Sequence, residues 1–565
     1  MGISHDTFRF WYSIGIHRTK FLSEKVTSID LCIEKELLIC GTNYGYIKVY
    51  SYPAVDEGIR CSRHVAHAGG IRQLTYVSDA ATIVSIGNFD KCILQWCYMR
   101  ELESREEVQP HSKSSAMEAQ QGRQLFDERV PAFGKALISR ITGDPYTSDL
   151  DSDMKSLLKS SVVTDNWIGS MAVPSSPPAL KKDVPDMSIC LDHVYGFSCS
   201  KMRNNVHFTA NNDVVYVAGC FGIVANRESR SQRFFRCHSD LITAFAVADD
   251  GKYAATGEIG RDTRVYIWST IDCTVLAVLP DDFSGSISCL SFSADAVLLA
   301  VASTDVNNTV TLYDWKHTRS HRVYSGEYPL FSIVFNDDAN GAMCCCSSSS
   351  ISLFSITARG ISPAKVAAAL SSISGTILCC SFFQRQYAIG CSDGYIHSVA
   401  TAGELHRSMK AFPGGVESLF ATRCGDYIAS GSSRGQIKIW SNTFECIHEL
   451  SIDSIIKTSI VGICAIAISR NNEFIVVGTR GGNILTMKLA EMDQHISVTI
   501  TEGHCCEELS AVAAHPTKSV FASTGDDSML RFYDATSCDV MRNMKLDAPS
   551  RALAFSNDGK YLALG

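Results

Sequence analysis

The chain of 565 residues is long enough for more than one domain, and its 45% apolar and 19% charged residues are typical of a globular protein. Its formal net charge of −8 is mild for this length, and no run of lysine or arginine forms a basic tail. Nucleic acids and anionic membranes are therefore not expected as partners. The longest apolar runs, at 296–302 and 461–468, are too short to cross a bilayer.

The 23 cysteines are an odd number, and no two of them form a C-x-x-C pair. Many, such as those at 344–346 and 379–380, lie in apolar runs where small core residues belong. We therefore predict reduced, buried cysteines in a cytoplasmic protein, with no metal site and no cofactor. A secretory signal peptide is not predicted, because Arg9 and Trp11 interrupt the apolar residues near the N-terminus.

The first elements in chain order are two copies of one strand pattern, at 26–52 and 67–96. In each copy, two apolar runs are followed by a tight turn and a third run that ends in an aromatic residue. Short strands in a repeat of about 40–45 residues are typical of four-stranded propeller blades. Residues 1–97 are therefore predicted to be the last blades of a preceding WD40 propeller.

Residues 98–190 break this rhythm. The segment begins with a charged stretch at 101–107 and continues through Ser-rich sequence to the prolines at 177–178. Its polar composition predicts a linker that is partly disordered.

After a stretch of short β-type runs at 191–238, the strand pattern resumes and continues to the last residue. Its recurring markers lie at 257–268, 303–315, 350–356, 390–399, 431–440, 478–487 and 525–534. Seven blades can close a propeller, so we predict a complete seven-bladed WD40 propeller at 239–546. A half-repeat at 547–565 is predicted to start a further propeller, which implies a segment of something longer. The predicted fold class is all-β, with WD40-type β-propellers in tandem.

One polar set in the second repeat has the residue types of a catalytic triad: His67, Ser85 and Asp90, with Trp96 beside them. The spacing recurs at His504, Ser523, Asp527 and Tyr533, and again at His238, Thr256, Asp262 and Trp268. A catalytic triad need occur only once, whereas this set recurs with substitutions, as expected for a hydrogen-bond chain that builds the fold. We therefore interpret these sets as structural and predict no catalytic residue and no enzyme.

Two glycine motifs fit enzyme signatures by their letters alone. Residues 431–435 match G-x-S-x-G, but a strand follows where a nucleophile elbow needs a helix. Residues 478–482 lack the Lys-Ser/Thr of a phosphate loop. Both are predicted to be hairpin turns, and the acidic pairs at 281–282 and 526–527 lack the ligand spacing of a calcium loop.

The stretch at 191–238 closely resembles the hydrophobic HELP motif of the echinoderm microtubule-associated protein-like family. The residues that carry the resemblance are Val194 to Phe197, Arg203 to Asn205 and Gln232 to Phe235. The likeness continues through 256–268, 515–516, 525–527 and 551–565, and the first two repeats are similar to the closing blades of the family's module. The resemblance implies two joined propellers with the motif packed where they meet, association with microtubules, and a long member with tandem modules.

Two functions are compatible with this resemblance. The first is a non-catalytic structural protein that binds the tubulin lattice through its WD40 propellers, on cytoplasmic microtubules or in a ciliary or flagellar axoneme with other axonemal or cytoskeletal proteins. The alternative is a cytosolic WD40 scaffold that assembles protein complexes without binding tubulin directly. Because this chain and tubulin are both acidic, contacts would rest on local patches. Arg227, Arg230, Arg233 and Arg236 are candidates, three of which fit equally well as solvated edge positions, so no partner-binding residue is assigned.

Overall fold

The computed structural model describes most of the chain outside residues 1–23 and 101–183. The described residues are 24–52, 60–77, 82–100, 184–199, 202–260, 263–279, 283, 285–317, 319–324, 329–336, 342–357, 360–363, 373, 375–401, 403–456, 460–494, 497–505 and 508–565. Their regular structure is almost entirely β, apart from short 3₁₀ helices at Ile452–Ser454 and Leu489–Gln494. No helix among these residues is long and apolar enough to span a membrane.

The marker glycines of the repeat are explained by how neighbouring sheets pack. Gly257 is the last residue but one in the second strand of its sheet, and a Cβ there would lie 2.8 Å from the Ile287 side chain of the next sheet. At Gly431 a Cβ would lie 2.5 Å from the Ile463 side chain. Both distances are too short for any side chain larger than hydrogen, so glycine lets the innermost strands approach closely.

Seven antiparallel four-stranded sheets stack side by side into a closed structure, here called the ring. Their first strands contact one another, except that the first strand of the second sheet, Ile242–Val247, packs on the second strand of the first sheet, Val214–Ala218. The strands of its first four sheets are β9 (Val206–Phe208), β10 (Val214–Ala218), β11 (Phe221–Ala225), β12 (Gln232–Phe235); β13 (Ile242–Val247), β14 (Tyr253–Glu258), β15 (Val265–Ser269), β16 (Val275–Val278); β17 (Ile287–Phe292), β18 (Leu298–Ser303), β19 (Val310–Asp314), β20 (Arg319–Tyr324); β21 (Leu330–Phe335), β22 (Ala342–Ser347), β23 (Ile351–Thr357) and β24 (Gly360–Pro363). Those of the other three are β25 (Ile377–Phe383), β26 (Gln386–Cys391), β27 (Tyr395–Ala400), β28 (Leu405–Lys410); β29 (Val416–Ala421), β30 (Tyr427–Ser432), β31 (Gln436–Ser441), β32 (Cys446–Ser451); β33 (Ile463–Ile468), β34 (Phe474–Thr479), β35 (Asn483–Lys488) and β36 (Val498–Glu502).

The remaining strands form a second row of stacked sheets, here called the arc. Its strands are β1 (Val26–Cys32), β2 (Leu37–Thr42), β3 (Tyr46–Ser51), β4 (Ser62–Val65); β5 (Ile71–Tyr76), β6 (Thr82–Gly87), β7 (Ile93–Arg100), β8 (Met187–Tyr195); β37 (Leu509–Ala514), β38 (Val520–Gly525), β39 (Met529–Asp534), β40 (Asp539–Lys545); and the pair β41 (Leu553–Phe555) and β42 (Leu562–Leu564). β1 packs on β5, β5 packs on β37, and β37 packs on β41. The WD40 propeller class expected from the repeat is therefore confirmed.

The membership of the sheets differs from the boundaries expected from the repeat spacing. β33 packs against β9, so the sheet within 191–238 is one of the seven that close the ring. The repeat around 525–534, expected as the seventh blade of 239–546, lies in the arc instead, because its first strand β37 stacks on β5. The same stacking unites strands from 1–97 and 547–565, which the spacing assigned to two different propellers.

The end of the expected linker is also different. Residues 187–190 belong to β8, which pairs with β7 along its whole length and completes that sheet as its fourth strand. The part of the linker at 101–183 lies outside the described residues.

Candidate functional site

The segment that follows β8 joins the arc to the ring. Tyr195, its last arc residue, packs its ring 4.7 Å from that of Tyr533 and 5.7 Å from that of Phe521, both in the neighbouring sheet. The next residue, Gly196, has a positive φ of 91° and crosses so close to Gly503 that a Cβ on Gly503 would lie 2.4 Å from the Gly196 Cα. The chain therefore passes from one row of sheets to the other through a point that requires glycine.

One continuous apolar core extends across this junction. Among its members are Ile39 and Trp96 of the arc, Phe197 of the crossing segment, and Tyr216 and Val476 of the ring, each no more than 3% exposed. Burial of each such side chain contributes roughly 1.5–3 kcal/mol. Because the core belongs to both rows of sheets, ring and arc are expected to move as one body.

Gln232, at the start of β12, connects the two rows by hydrogen bonds. Its Oε1 accepts from the backbone N–H of Val194 at 2.8 Å, and its Nε2 donates to the Val194 carbonyl at 3.1 Å. The side-chain amide thus reproduces the pairing that a neighbouring strand would offer to β8.

Arg203 and Asn204 form hydrogen bonds inside the ring. The guanidinium of Arg203 donates to the Leu378 carbonyl at 3.0 Å, and the Asn204 N–H donates to the Cys464 carbonyl at 3.0 Å. Leu378 and Cys464 lie on the innermost strands of two different sheets. The segment therefore plugs the central channel and ties together strands that do not touch each other.

Beyond this plug, the channel opens into a cavity of about 570 Å³, here called the channel mouth. Aromatic residues near the ends of the first strands line it: Phe208, Phe292, Phe335, Phe382 and Phe420. Two exposed arginines, Arg423 and Arg470, stand at its rim. This surface was not predicted from the sequence, although an aromatic residue near the end of several first strands is a signal that the sequence contains.

Three of the four arginines considered as partner contacts are used within the chain itself. Arg227 stacks on the Phe474 ring at 3.5 Å, and Arg233 pairs with Asp213 at 2.9 Å. Arg230 forms an ion pair with Asp539, which connects the ring to the arc. Arg236 is exposed.

The recurring polar sets are buried hydrogen-bond chains. His67 Nδ1 lies 2.8 Å from Asp90 Oδ2 and its Nε2 lies 2.8 Å from Ser85 Oγ, to which the Trp96 indole donates at 3.0 Å. His67 and Ser85 are 0% exposed, so no substrate can reach the serine. The second set repeats the arrangement, with His504 Nδ1 2.9 Å from Asp527 and its Nε2 2.7 Å from Ser523.

The set around His238 departs from this arrangement. Asp262 lies outside the described residues, and the carboxylate nearest to the ring is that of Glu258, 3.3 Å from His238 Nδ1. Thr256 keeps its place, 2.7 Å from His238 Nε2. The Trp268 indole donates to no acceptor among the described residues and instead stacks on Phe235 at 4.8 Å.

The two glycine motifs and the cysteines can also be placed in the structure. Residues 431–435 and 478–482 lie where β30 turns into β31 and β34 turns into β35, so both glycine motifs are hairpin turns as predicted. All cysteines among the described residues are free, and most are buried. The acidic pair at 281–282 lies outside the described residues.

Comparison with known families agrees with this architecture. The model of the echinoderm microtubule-associated protein first β-propeller matches residues 231–487, the HELP motif matches 184–223, and a WD40 G-β repeat matches 496–534. The HELP match therefore covers β8, the crossing segment, the channel plug and the first strands of the ring.

Individual relatives are distant. The chain is 23% identical over 401 residues to echinoderm microtubule-associated protein-like 2 of Rattus norvegicus, covering 68% of this chain and 60% of that protein. It is 22% identical to echinoderm microtubule-associated protein-like 1 of Mus musculus, covering 75% and 52%. For echinoderm microtubule-associated protein-like 4 of Xenopus laevis the identity is 22%, covering 68% and 44%. The chain thus spans about half the length of these relatives; it has the HELP motif at its junction, and the propeller model of the echinoderm microtubule-associated protein-like family matches most of its ring.

Proposed function

We propose that this protein is a non-catalytic, microtubule-associated structural protein that binds the tubulin lattice through its propellers. The observation that carries the proposal is the match of the family's propeller and HELP motif to 184–487, together with the shared core that joins ring and arc. A lattice repeats its subunits at fixed spacing, so a binder with several rigidly connected faces loses little conformational freedom when it docks.

The contact surface that we propose is the channel mouth. The chain carries a net charge of −8 and tubulin is acidic, so attraction over long distances is not expected. The channel mouth combines aromatic side chains with Arg423, which lies 3.9 Å from Asp249, and Arg470, which donates to the Asp250 carbonyl at 3.1 Å, so it offers apolar contact together with partly exposed guanidinium groups. Aromatic residues and arginine are the residue types that dominate binding energy at protein interfaces.

The test is co-sedimentation of the full chain with stabilised microtubules, comparing the native chain with the double variant Arg423→Glu/Arg470→Glu. The reversal should weaken binding by at least about tenfold, or roughly 1.4 kcal/mol. Arg542→Glu, which changes an exposed arginine of the arc, is the matched control and should bind like the native chain. Equal binding by all three would refute the channel mouth as the contact surface.

The proposed location is the microtubule cytoskeleton, including the axoneme where a cell has a cilium or flagellum. A fluorescently tagged chain should follow cytoplasmic microtubules and should enter the axoneme in ciliated cells. A diffuse signal that is unchanged by microtubule depolymerisation would contradict this location.

A second function, assembly of soluble protein complexes, is favoured by the shape of the same surface. The channel mouth is a concave cavity of about 570 Å³, which suits a peptide segment better than a flat lattice face. A scaffold would capture specific soluble partners and would lose them in the Arg423→Glu/Arg470→Glu variant, but it would not pellet with microtubules.

A further inference from the structure

The ring sheet formed by β25–β28 contains an unusual cluster at its hairpin turn. The Cys391 Sγ, an Asp393 carboxylate oxygen and a His397 ring nitrogen all lie within 4.8 Å of one another. Cys391 ends β26, Asp393 is in the turn, and His397 points back from β27. Thiolate, carboxylate and imidazole at this separation are the ligand types that zinc binds in proteins.

The burial and the hydrogen bonding of His397 are a second, independent observation that points to a metal ligand. The residue is only 5% exposed, and its Nδ1 lies 2.8 Å from the Ser408 Oγ of the neighbouring strand. Its Nε2 is buried and has no hydrogen-bond partner among the described residues. A buried nitrogen without a partner is costly, whereas a histidine held through Nδ1 and free at Nε2 is the usual geometry of a zinc ligand.

Comparison with the other sheets shows how the cluster arises from the repeat. In the sheet β5–β8, the space beside Asp90 is filled by the His67 ring, and a Cβ at Gly87 would lie 2.6 Å from that ring. In the sheet β25–β28, Ile373 stands at the histidine position, and Cys391 stands at the position of Gly87. The thiol therefore takes the space that the histidine ring fills elsewhere.

His397 occupies a position that already reaches the turn aspartate in another sheet. The equivalent residue of the sheet β37–β40 is Arg531, whose guanidinium donates to Asp527 Oδ2 at 2.9 Å. Replacing a guanidinium by an imidazole exchanges a donor for a nitrogen lone pair. In this sheet a thiol, a carboxylate and an imidazole therefore stand where the sheet β5–β8 has its hydrogen-bond chain.

We propose that Cys391, Asp393 and His397 bind one zinc ion, with the fourth coordination position open to water. Thiolate and carboxylate together neutralise the charge of Zn²⁺, and Ser408 orients the histidine as the outer-shell partner. Asp393 is only partly buried, and its neighbour Ser392 is exposed, so the ion can enter from the turn. The Lys410 Nζ donates to the backbone carbonyl of Asp393 at 2.8 Å, so one positive charge lies beside these three residues.

A second thiol cluster, in the apolar core to which Cys391 also belongs, is the main competitor for metal. Cys344, Cys346 and Cys380 also lie within 4.8 Å of one another, but all three are fully enclosed in an apolar core. They lack an imidazole and a carboxylate. We therefore assign zinc to the Cys391 cluster and use the thiol cluster as the discriminating control.

The experiment is a titration of the full chain, purified with a chelator under reducing conditions, with Zn²⁺ and with Co²⁺ as a spectroscopic probe. One equivalent should bind tightly, and Co²⁺ should show a thiolate charge-transfer band with the visible absorption of a four-coordinate site. His397→Gln and Cys391→Ser should abolish the tight site and the cobalt spectrum. Ser408→Ala should lower the affinity roughly 10–100-fold, as expected for an outer-shell partner.

Two variants outside the cluster serve as controls for the loss of zinc binding. His406→Gln changes an exposed histidine of the same sheet and should leave zinc affinity unchanged, as should Cys446→Ser at an exposed cysteine. Circular dichroism of each variant confirms folding, and His397→Gln alone suffices if Cys391→Ser fails to fold. The proposal is overturned if the tight site survives His397→Gln, if it is lost in Cys380→Ser instead, or if the native chain binds no tight equivalent.

Discussion

The buried hydrogen-bond chain of the second repeat makes Asp90 a strong test of the fold. Asp90 Oδ2 accepts from His67 Nδ1 at 2.8 Å and from the Ala68 N–H at 3.2 Å, and Oδ1 accepts from the Cys92 N–H at 3.4 Å. The three donors are at most 1% exposed. In Asp90→Ala they lose their acceptor in a site that is closed to water.

The expected loss of stability can be worked out from these contacts. Each of the three buried donors left without a partner costs about 1–3 kcal/mol. We expect the free energy of unfolding to fall by about 4 kcal/mol. For a unit of 150–250 residues, 1 kcal/mol corresponds to roughly 2–4 °C, so the melting temperature should fall by about 10 °C.

Differential scanning calorimetry measures this change, with two matched variants. Asp90→Asn keeps one acceptor oxygen and should lose less stability than Asp90→Ala. Asp547→Ala removes an exposed carboxylate of the arc and should change stability by no more than about 0.5 kcal/mol. If Asp90→Ala melts at the same temperature as Asp547→Ala, the structural interpretation of the His67 set is refuted.

Other consequences concern pH, the channel plug and oxidation. Burial lowers the pKa of four histidines to about 4: His64, His193, His207 and His504. Histidine in an unfolded chain has a pKa near 6.5, so between about pH 6.5 and 4 the unfolded chain binds protons that the folded chain does not bind. The free energy of unfolding, measured by urea denaturation, should therefore fall as the pH drops from about 6.5 to about 4. Arg203→Ala should destabilise the ring by about 1–3 kcal/mol, because the Leu378 carbonyl loses a charged donor, and a retained urea midpoint would contradict the plug. Cys97 and Cys190 pair directly across β7 and β8 with Sγ atoms 3.0 Å apart, so hydrogen peroxide should join them in a disulfide; non-reducing peptide mapping that finds both thiols free would contradict the register.

The individual blades could be predicted because each is encoded locally. The marker glycines, the tight turns and the aromatic residues at the ends of third strands lie within one repeat, and their spacing follows from the close packing of first strands at positions such as Gly257. The repeated histidine sets could be recognised as structural for the same reason. Recurrence is visible in a single sequence, whereas tertiary packing is not.

The assignment of blades to propellers could not be predicted in this way. β8 pairs with β7 across the expected linker, and β37 stacks on β5 from more than 400 residues along the chain. Every repeat has the same strand pattern, so the spacing cannot tell which neighbour a given first strand will contact. The choice depends on side chains that meet only in the fold, such as Tyr195 on Tyr533.

The Cys391 cluster was missed for a different physical reason. C-x-x-C spacing identifies zinc sites in which two cysteines come from one short turn, and no such pair contributes to this cluster. Here the ligands come from the end of one strand, the turn after it and the returning strand. Their convergence depends on the register of β26 with β27, in which His397 lies opposite Ile389.

The measurement that tests the central claim most directly is saturation co-sedimentation of the full chain with stabilised microtubules, at low and at moderate salt, beside gel filtration with free tubulin dimers. We expect saturable, stoichiometric pelleting that survives moderate salt, because the interface is mainly apolar, and little binding to free dimers. The absence of pelleting at both salt concentrations would contradict lattice binding and would leave scaffold assembly as the function that the fold supports.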